Sequence, residues 1–246
     1  MKAVRMMATG FLAFLPMLAA TAETAVPAFS AMSPGGAIQG WSILKPAPKV
    51  GDTRYSLISD SGTTVLKAEA NQAMSGLTYP VRIDIRDYPL LRWRWKIAAP
   101  LKTADMTQKG GDDYAARIYV MFDYPMEKLP FGTRTKLKLA ETFYGQKIPT
   151  AALNYIWDNK HPVGTIQPNT YTDRARMIVL RSGAVQAGQW VTETRNLADD
   201  FRAAFGEAAP NVVAIALATD TDNTGESAVA WYGDIEFLPK EKGSAR

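Results

Sequence analysis

Near the C-terminus, Asp220-Thr221-Asp222-Asn223-Thr224-Gly225 sets two carboxylates, an amide and a glycine between two apolar runs. Calcium takes roughly six to eight oxygen ligands, and alternating Asp and Asn in a turn supply several of them. The spacing opens like a helix–loop–helix calcium loop, with Asp220 and Asp222 at its first and third positions and Gly225 at its sixth. It then departs, because Trp231 stands where a bidentate Glu is needed. Calcium in another geometry, with Asn223 and with Asp234 from the following strand, is one reading. The other is an Asx-type turn whose side chains cap backbone amides.

A second group is Asp112, Asp113, Arg117 and Arg195, carboxylates and guanidiniums that a sheet brings together. A bidentate Arg–carboxylate pair braces a fold, and the same chemistry holds a sugar hydroxyl or a substrate carboxylate. Tyr119, two residues from Arg117, makes the pair a candidate for proton abstraction and charge neutralisation at a uronate. Two carboxylates alone perform glycoside hydrolysis. His161 is the sole histidine, and no G-x-S-x-G motif accompanies it, which argues against a Ser-His-Asp enzyme or a histidine-bound zinc. No phosphate-cradling glycine loop is present.

These residues need β-rich elements to position them. Residues 90–97 alternate sharply: Leu91, Trp93, Trp95 and Ile97 share one face, and Arg92, Arg94 and Lys96 the other. The basic face is either solvated or one wall of a groove. Residues 112–122 read as a strand with Tyr114, Ala116, Ile118, Val120 and Phe122 inward and Asp113, Arg117 and Tyr119 on the opposite side. Residues 55–70 form two strands about Ser59-Asp60-Ser61-Gly62. Further strands follow at 155–157, 176–181 and 190–197, then a short helix over 199–205 closed by Gly206. Residues 212–218 are apolar throughout, as in a strand buried on both faces. Residues 125–149 break this rhythm, and 133–144 suit a helical insertion. Of Trp41, Trp93, Trp95, Tyr119, Tyr155, Trp157, Trp190, Trp231 and Tyr232, most should be core. One or two on a concave face would suit sugar stacking.

The first residues carry an export pattern: Lys2 and Arg5, an apolar run over 10–20, and Ala20-Thr21-Ala22 as a cleavage site. Loss of that leader lowers the net charge from +4 to +2, which gives no case for nucleic acid binding. No second long apolar run points to a membrane-embedded protein. With no cysteine, disulfides and thiolate zinc sites are excluded, and an ordinary core must hold the fold. Residues 23–40 lack a sustained period and read as a flexible lead-in to one domain over 41–240.

The segments GDDYAARIYVMF, TRNLADDFRAAFG and ATDTDNTGESAVAWYGDIEF, with LLRWRWKI, resemble an exported bacterial family of unknown function, domain number three thousand and forty-seven. The resemblance spans nearly all of the chain after the leader and implies a periplasmic or secreted protein without an assigned activity. Its motif positions fall on Asp112, Asp113, Arg117, Arg195, Asn196, Asp220, Asp222, Asn223 and Asp234. The closing strand, Trp231 to Phe237, is similar to the last strand of galactose-binding-like jelly rolls. The expectation is an all-β jelly-roll β-sandwich with a short helical insertion, periplasmic, serving as a non-catalytic binding module for a glycan or other polar envelope ligand. Its ligand-binding set is Asp112, Asp113, Arg117, Tyr119, Arg195 and Asn196. Calcium is the only cofactor in view, at Asp220, Asp222, Asn223 and Asp234. The alternatives are a polysaccharide lyase or glycoside hydrolase, and a structural envelope protein.

Overall fold

The structure, a computed structural model, describes residues 25–45, 50–135 and 150–240. A seven-stranded sheet runs in the order β1 (Ser42–Leu44), β4 (Met74–Ile83), β11 (Val212–Asp220), β6 (Arg117–Phe122), β7 (Ala151–Asp158), β9 (Ala175–Ser182) and β8 (Ile166–Pro168). A five-stranded sheet faces it, in the order β10 (Val191–Asn196), β5 (Leu90–Ile97), β12 (Ser227–Leu238), β3 (Thr63–Asn71) and β2 (Arg54–Asp60). From β3 to β6, and again from β9 to β12, consecutive strands alternate between the sheets, which is the winding of a jelly roll. The expected β-sandwich is therefore present. Its one parallel pairing among the named strands is β7 with β9.

Local sequence explains the main elements. The β2–β3 hairpin turns on Ser61 and Gly62, at φ 54° and 81°, the left-handed pair a two-residue hairpin requires. β11 is apolar because it is flanked by β4 and β6 in the larger sheet. The alternation of β5 holds as read: Leu91, Trp93, Trp95 and Ile97 are buried between the sheets. Trp93 packs edge-on to Trp95 at 5.6 Å and tilted against Tyr155 at 5.2 Å, joining the two layers.

Two readings change. Residues 25–40 dock onto the sandwich instead of trailing from it: Phe29 is fully buried, stacks on Trp41 at 5.5 Å, and lies in a short 3-10 turn. An apolar ring at that position removes its area from water only by joining the core. β6 begins at Arg117, five residues later than expected, because Asp112 and Asp113 spend their side chains fixing an irregular loop. Tyr114 accordingly packs with Met106, Ile156, Met177 and Val179 in a separate cluster, apart from the main core. Residues 131–135 are helical, while the rest of the expected insertion and the leader lie outside the described residues.

Candidate functional site

Arg117 opens β6 and Asp220 closes the neighbouring β11, so the sheet delivers both side chains to one end. Arg117 Nη2 donates to Asp220 Oδ2 at 2.5 Å, and the two side chains are 1% and 0% exposed. The guanidinium lies 5.2 Å from the ring centroids of both Tyr114 and Tyr119. Its Nε and Nη1 have no hydrogen-bond partner among the described residues. Burial opposes the Arg117 charge, but Asp220, with Tyr119, Asp112 and Tyr114, outweighs it and raises the pKa above its ordinary value.

The acidic loops close on this pair. Asp113 Oδ2 accepts from the Thr224 amide at 2.6 Å and hydroxyl at 2.8 Å, and its Oδ1 accepts from Asn223 Nδ2 at 3.0 Å. Asp112 accepts from the Tyr114 hydroxyl and from Asn169 Nδ2. Carboxylate oxygens of Asp113, Asp220 and Asp222 lie within 4.8 Å of one another. Complete burial pushes the Asp220 carboxyl well above the usual carboxylate range; Arg117 is the strongest pull the other way, and neighbouring Asp113, Asp112 and Asp222 add to the rise. Burial and Asp113 raise Asp222 as well. Burial lifts the Tyr119 hydroxyl to about 12.

The remaining expected site residues sit elsewhere, each with a structural partner. Arg195 is ion-paired to Asp200, which also accepts from the Tyr155 hydroxyl at 2.6 Å, tying the Leu197–Phe205 helix to β7. Asn196 caps that helix, accepting from the amides of Ala198 and Asp199. Asp234 stands on the other sheet and accepts from the amide and hydroxyl of Ser30, so it does not join Asp220 and Asp222.

A second set of groups lies on the outer face of the five-stranded sheet. Trp41, Trp93, Trp95 and Trp157 are core, whereas Trp190 and Trp231 are half-buried. Register aligns Ser56, Lys67, Trp231 and Lys96 across β2, β3, β12 and β5. Lys96 Nζ lies 4.6 Å from the Trp231 ring and 5.0 Å from the Trp190 ring, and it donates to Asp60 at 2.5 Å. Trp190 Nε1 donates to the same Asp60 oxygen at 3.0 Å, fixing its indole. Clefts flank this row. One, of about 530 Å³, is lined by residues including Arg54, Glu69, Asn71 and Val229. The other, of about 310 Å³, is lined by Arg92, Trp93, Arg94, Thr192, Asp234 and Glu236. Neither has Arg117 or the clustered aspartates in its wall.

A profile of the family described as protein of unknown function (DUF3047) matches residues 39–236. The chain belongs to that family. No curated protein matches this DUF3047 chain. Among solved structures it is similar to a family 11 carbohydrate-binding module from Clostridium thermocellum in complex with a β-1,3-1,4-mixed-linked tetrasaccharide. The identity is 7%, the TM-score 0.39, and the match covers 88% of this chain and 95% of that one. A family 30 module of a Clostridium thermocellum cellulosomal cellulase gives 8% and 0.36, covering 90% and 96%. A β-1,2-glucanase from Parabacteroides distasonis gives 13% and 0.34, covering 82% of this chain and 23% of that one.

Sequence reasoning named Asp112, Asp113, Arg117 and Tyr119 in one group and Asp220, Asp222 and Asn223 in another. The structure brings the two groups to one end of the DUF3047 fold, where Arg117, Asp113 and Asp220 are buried and Tyr119, Asp222 and Asn223 half-buried. Sequence reasoning left Trp190 and Trp231 among nine aromatics. The signal for Trp231 was the period of two: it is adjacent to buried Tyr232 and so faces outward. Replacing Arg117 with Leu strands the Asp220 carboxylate in the interior. The expected cost is about 3–5 kcal/mol of unfolding free energy in urea titrations. A change below about 1 kcal/mol would show that the pair does not hold the loops.

Proposed function

We propose that this chain is an exported, non-catalytic binding module for a glycan lying across the outer face of the five-stranded sheet. One observation carries the reading: the two tryptophans spared from the core share that face, with a cleft on either side of their row. An indole offers an apolar plane for the C–H face of a sugar ring, and planar charged side chains in the clefts match vicinal hydroxyls. Clefts at both sides of a stacking row suit a chain-like ligand better than a single small molecule. Export rests on the basic, apolar and small-residue pattern of the first 22 residues.

The lyase alternative loses its residues. Arg117 is buried and ion-paired to Asp220, and burial raises the half-buried Tyr119 hydroxyl to about 12, which disfavours the phenolate that proton abstraction needs. The acidic cluster has a supporting role here. Asp113, Asp220 and Asp222 would hold a calcium ion, a hard cation suited to carboxylate oxygens, and it would offset charge that Arg117 alone does not balance.

Two measurements check these statements. Titration calorimetry over a broad glycan panel should find a ligand, and Trp190→Ala or Trp231→Ala should each weaken it about tenfold. A panel without binding, or variants that bind like the parent, would overturn the assignment. Thermal unfolding with calcium, then with chelator, should show a calcium-dependent rise that Asp222→Asn removes. If calcium has no effect, the turn is held by capping alone.

A further inference from the structure

Resting on that reading of the outer face, the geometry points to a glycan bearing carboxylates, a uronate polymer, with Arg94 as the residue that selects it. The cations of this face are accounted for almost completely. Lys96 pairs with Asp60, Lys67 and Arg54 with Glu69, and Arg92 with Glu236. Arg94 has no carboxylate partner and no hydrogen-bond acceptor among the described residues, yet it lines the 310 Å³ cleft. The two carboxylates in that cleft are already engaged, Glu236 by Arg92 Nε and Nη2 and Asp234 by Ser30.

Arg94 is also held in place. Its guanidinium lies 4.5 Å from the Trp190 ring on one side. On the other is Gly233, where a Cβ would fall 2.4 Å from Arg94 Cγ and 2.5 Å from its Nε. Gly233 and Asp234 form the irregularity at which β12 slips register against β5, between Tyr232 and Ile235. A bulge of this kind re-aims side chains, and the missing Cβ lets the arginine lie flat against the backbone. The result is a planar cation fixed between an indole and a strand, with its donors free in a cleft. A carboxylate matches that fork in a bidentate manner, whereas a neutral hydroxyl does not. A sugar stacked beside it on Trp190 would carry the carboxylate into reach.

The test uses oligomers of galacturonate and of alginate, each as free acid and as methyl ester, with the full chain. The ester keeps the ring and removes the charge. The acid form should bind about tenfold more tightly than its ester at low salt, and the preference should shrink as salt rises. Arg94→Gln should erase the preference while ester binding persists. Gly233→Ala, which keeps every charge but displaces Arg94, should erase it too, with wild-type unfolding curves confirming the fold. Equal binding of acid and ester, or a preference that survives Arg94→Gln, overturns the inference. Binding of neutral glycans alone at Trp190 also overturns it and leaves the binding-module reading standing. If no glycan of either kind binds, both fall together.

Discussion

A guanidinium and a carboxylate withdrawn from water lose several kcal/mol of hydration each, and only close pairing makes that tolerable. Arg117 and Asp220 meet this constraint at the junction of β6 and β11. Their burial obliges the surrounding chain to close over them, and the loops that do so are the acidic ones. Tyr114 and Tyr119 flank the guanidinium, and the Tyr114 amide adds a bond to Asp220. Asp113 then fastens the loop before β6 to the 221–226 turn through Thr224 and Asn223. The strongest chemical signature in the chain is thereby consumed in holding two loops to one sheet.

That arrangement frees the opposite sheet. Its inner face carries the tryptophan-rich core, so its outer face is free to be polar, as antiparallel sheets allow. On β5 the two roles sit one residue apart, with Trp93 and Trp95 joining the layers while Arg94 and Lys96 meet the half-buried indoles of Trp190 and Trp231. The bulge at Gly233 sharpens the division by giving Arg94 a bed in the backbone. On the proposed reading, stability and recognition share the same strands but use alternate residues.

This division also sets what the sequence could convey. Alternation in β5, the apolar run of β11 and the helix closed by Gly206 are local patterns, and each was legible. The start of β6 was not, because the residues at 112–116 have strand-like periodicity but bond through side chains to partners more than 50 positions away, such as Asn169 and Asn223. Arg195 and Asn196 read as ligand groups because a helix cap and its neighbouring ion pair use the same residue types as a binding site. Asp234 followed Asp220 and Asp222 closely in sequence yet belongs to the other sheet, and no local pattern reports a change of sheet. Trp190 stands just before β10, which opens at Val191 and not at 190 as expected, and its hydrogen bond to Asp60 and the guanidinium of Arg94 over its ring reveal the face it serves.

The central claim is that ligands meet the chain at the outer face of the five-stranded sheet and not at the acidic loops. Indole resonances report this directly, since each tryptophan Nε1–H gives one signal in a two-dimensional NMR spectrum. On titration with a glycan that raises thermal stability, the signals of Trp190 and Trp231 should move, while those of Trp41, Trp93, Trp95 and Trp157 stay in place. Static Trp190 and Trp231 signals, with shifts instead at the amides of Tyr114, Arg117 and Thr224, would contradict the account and return recognition to the Arg117 cluster.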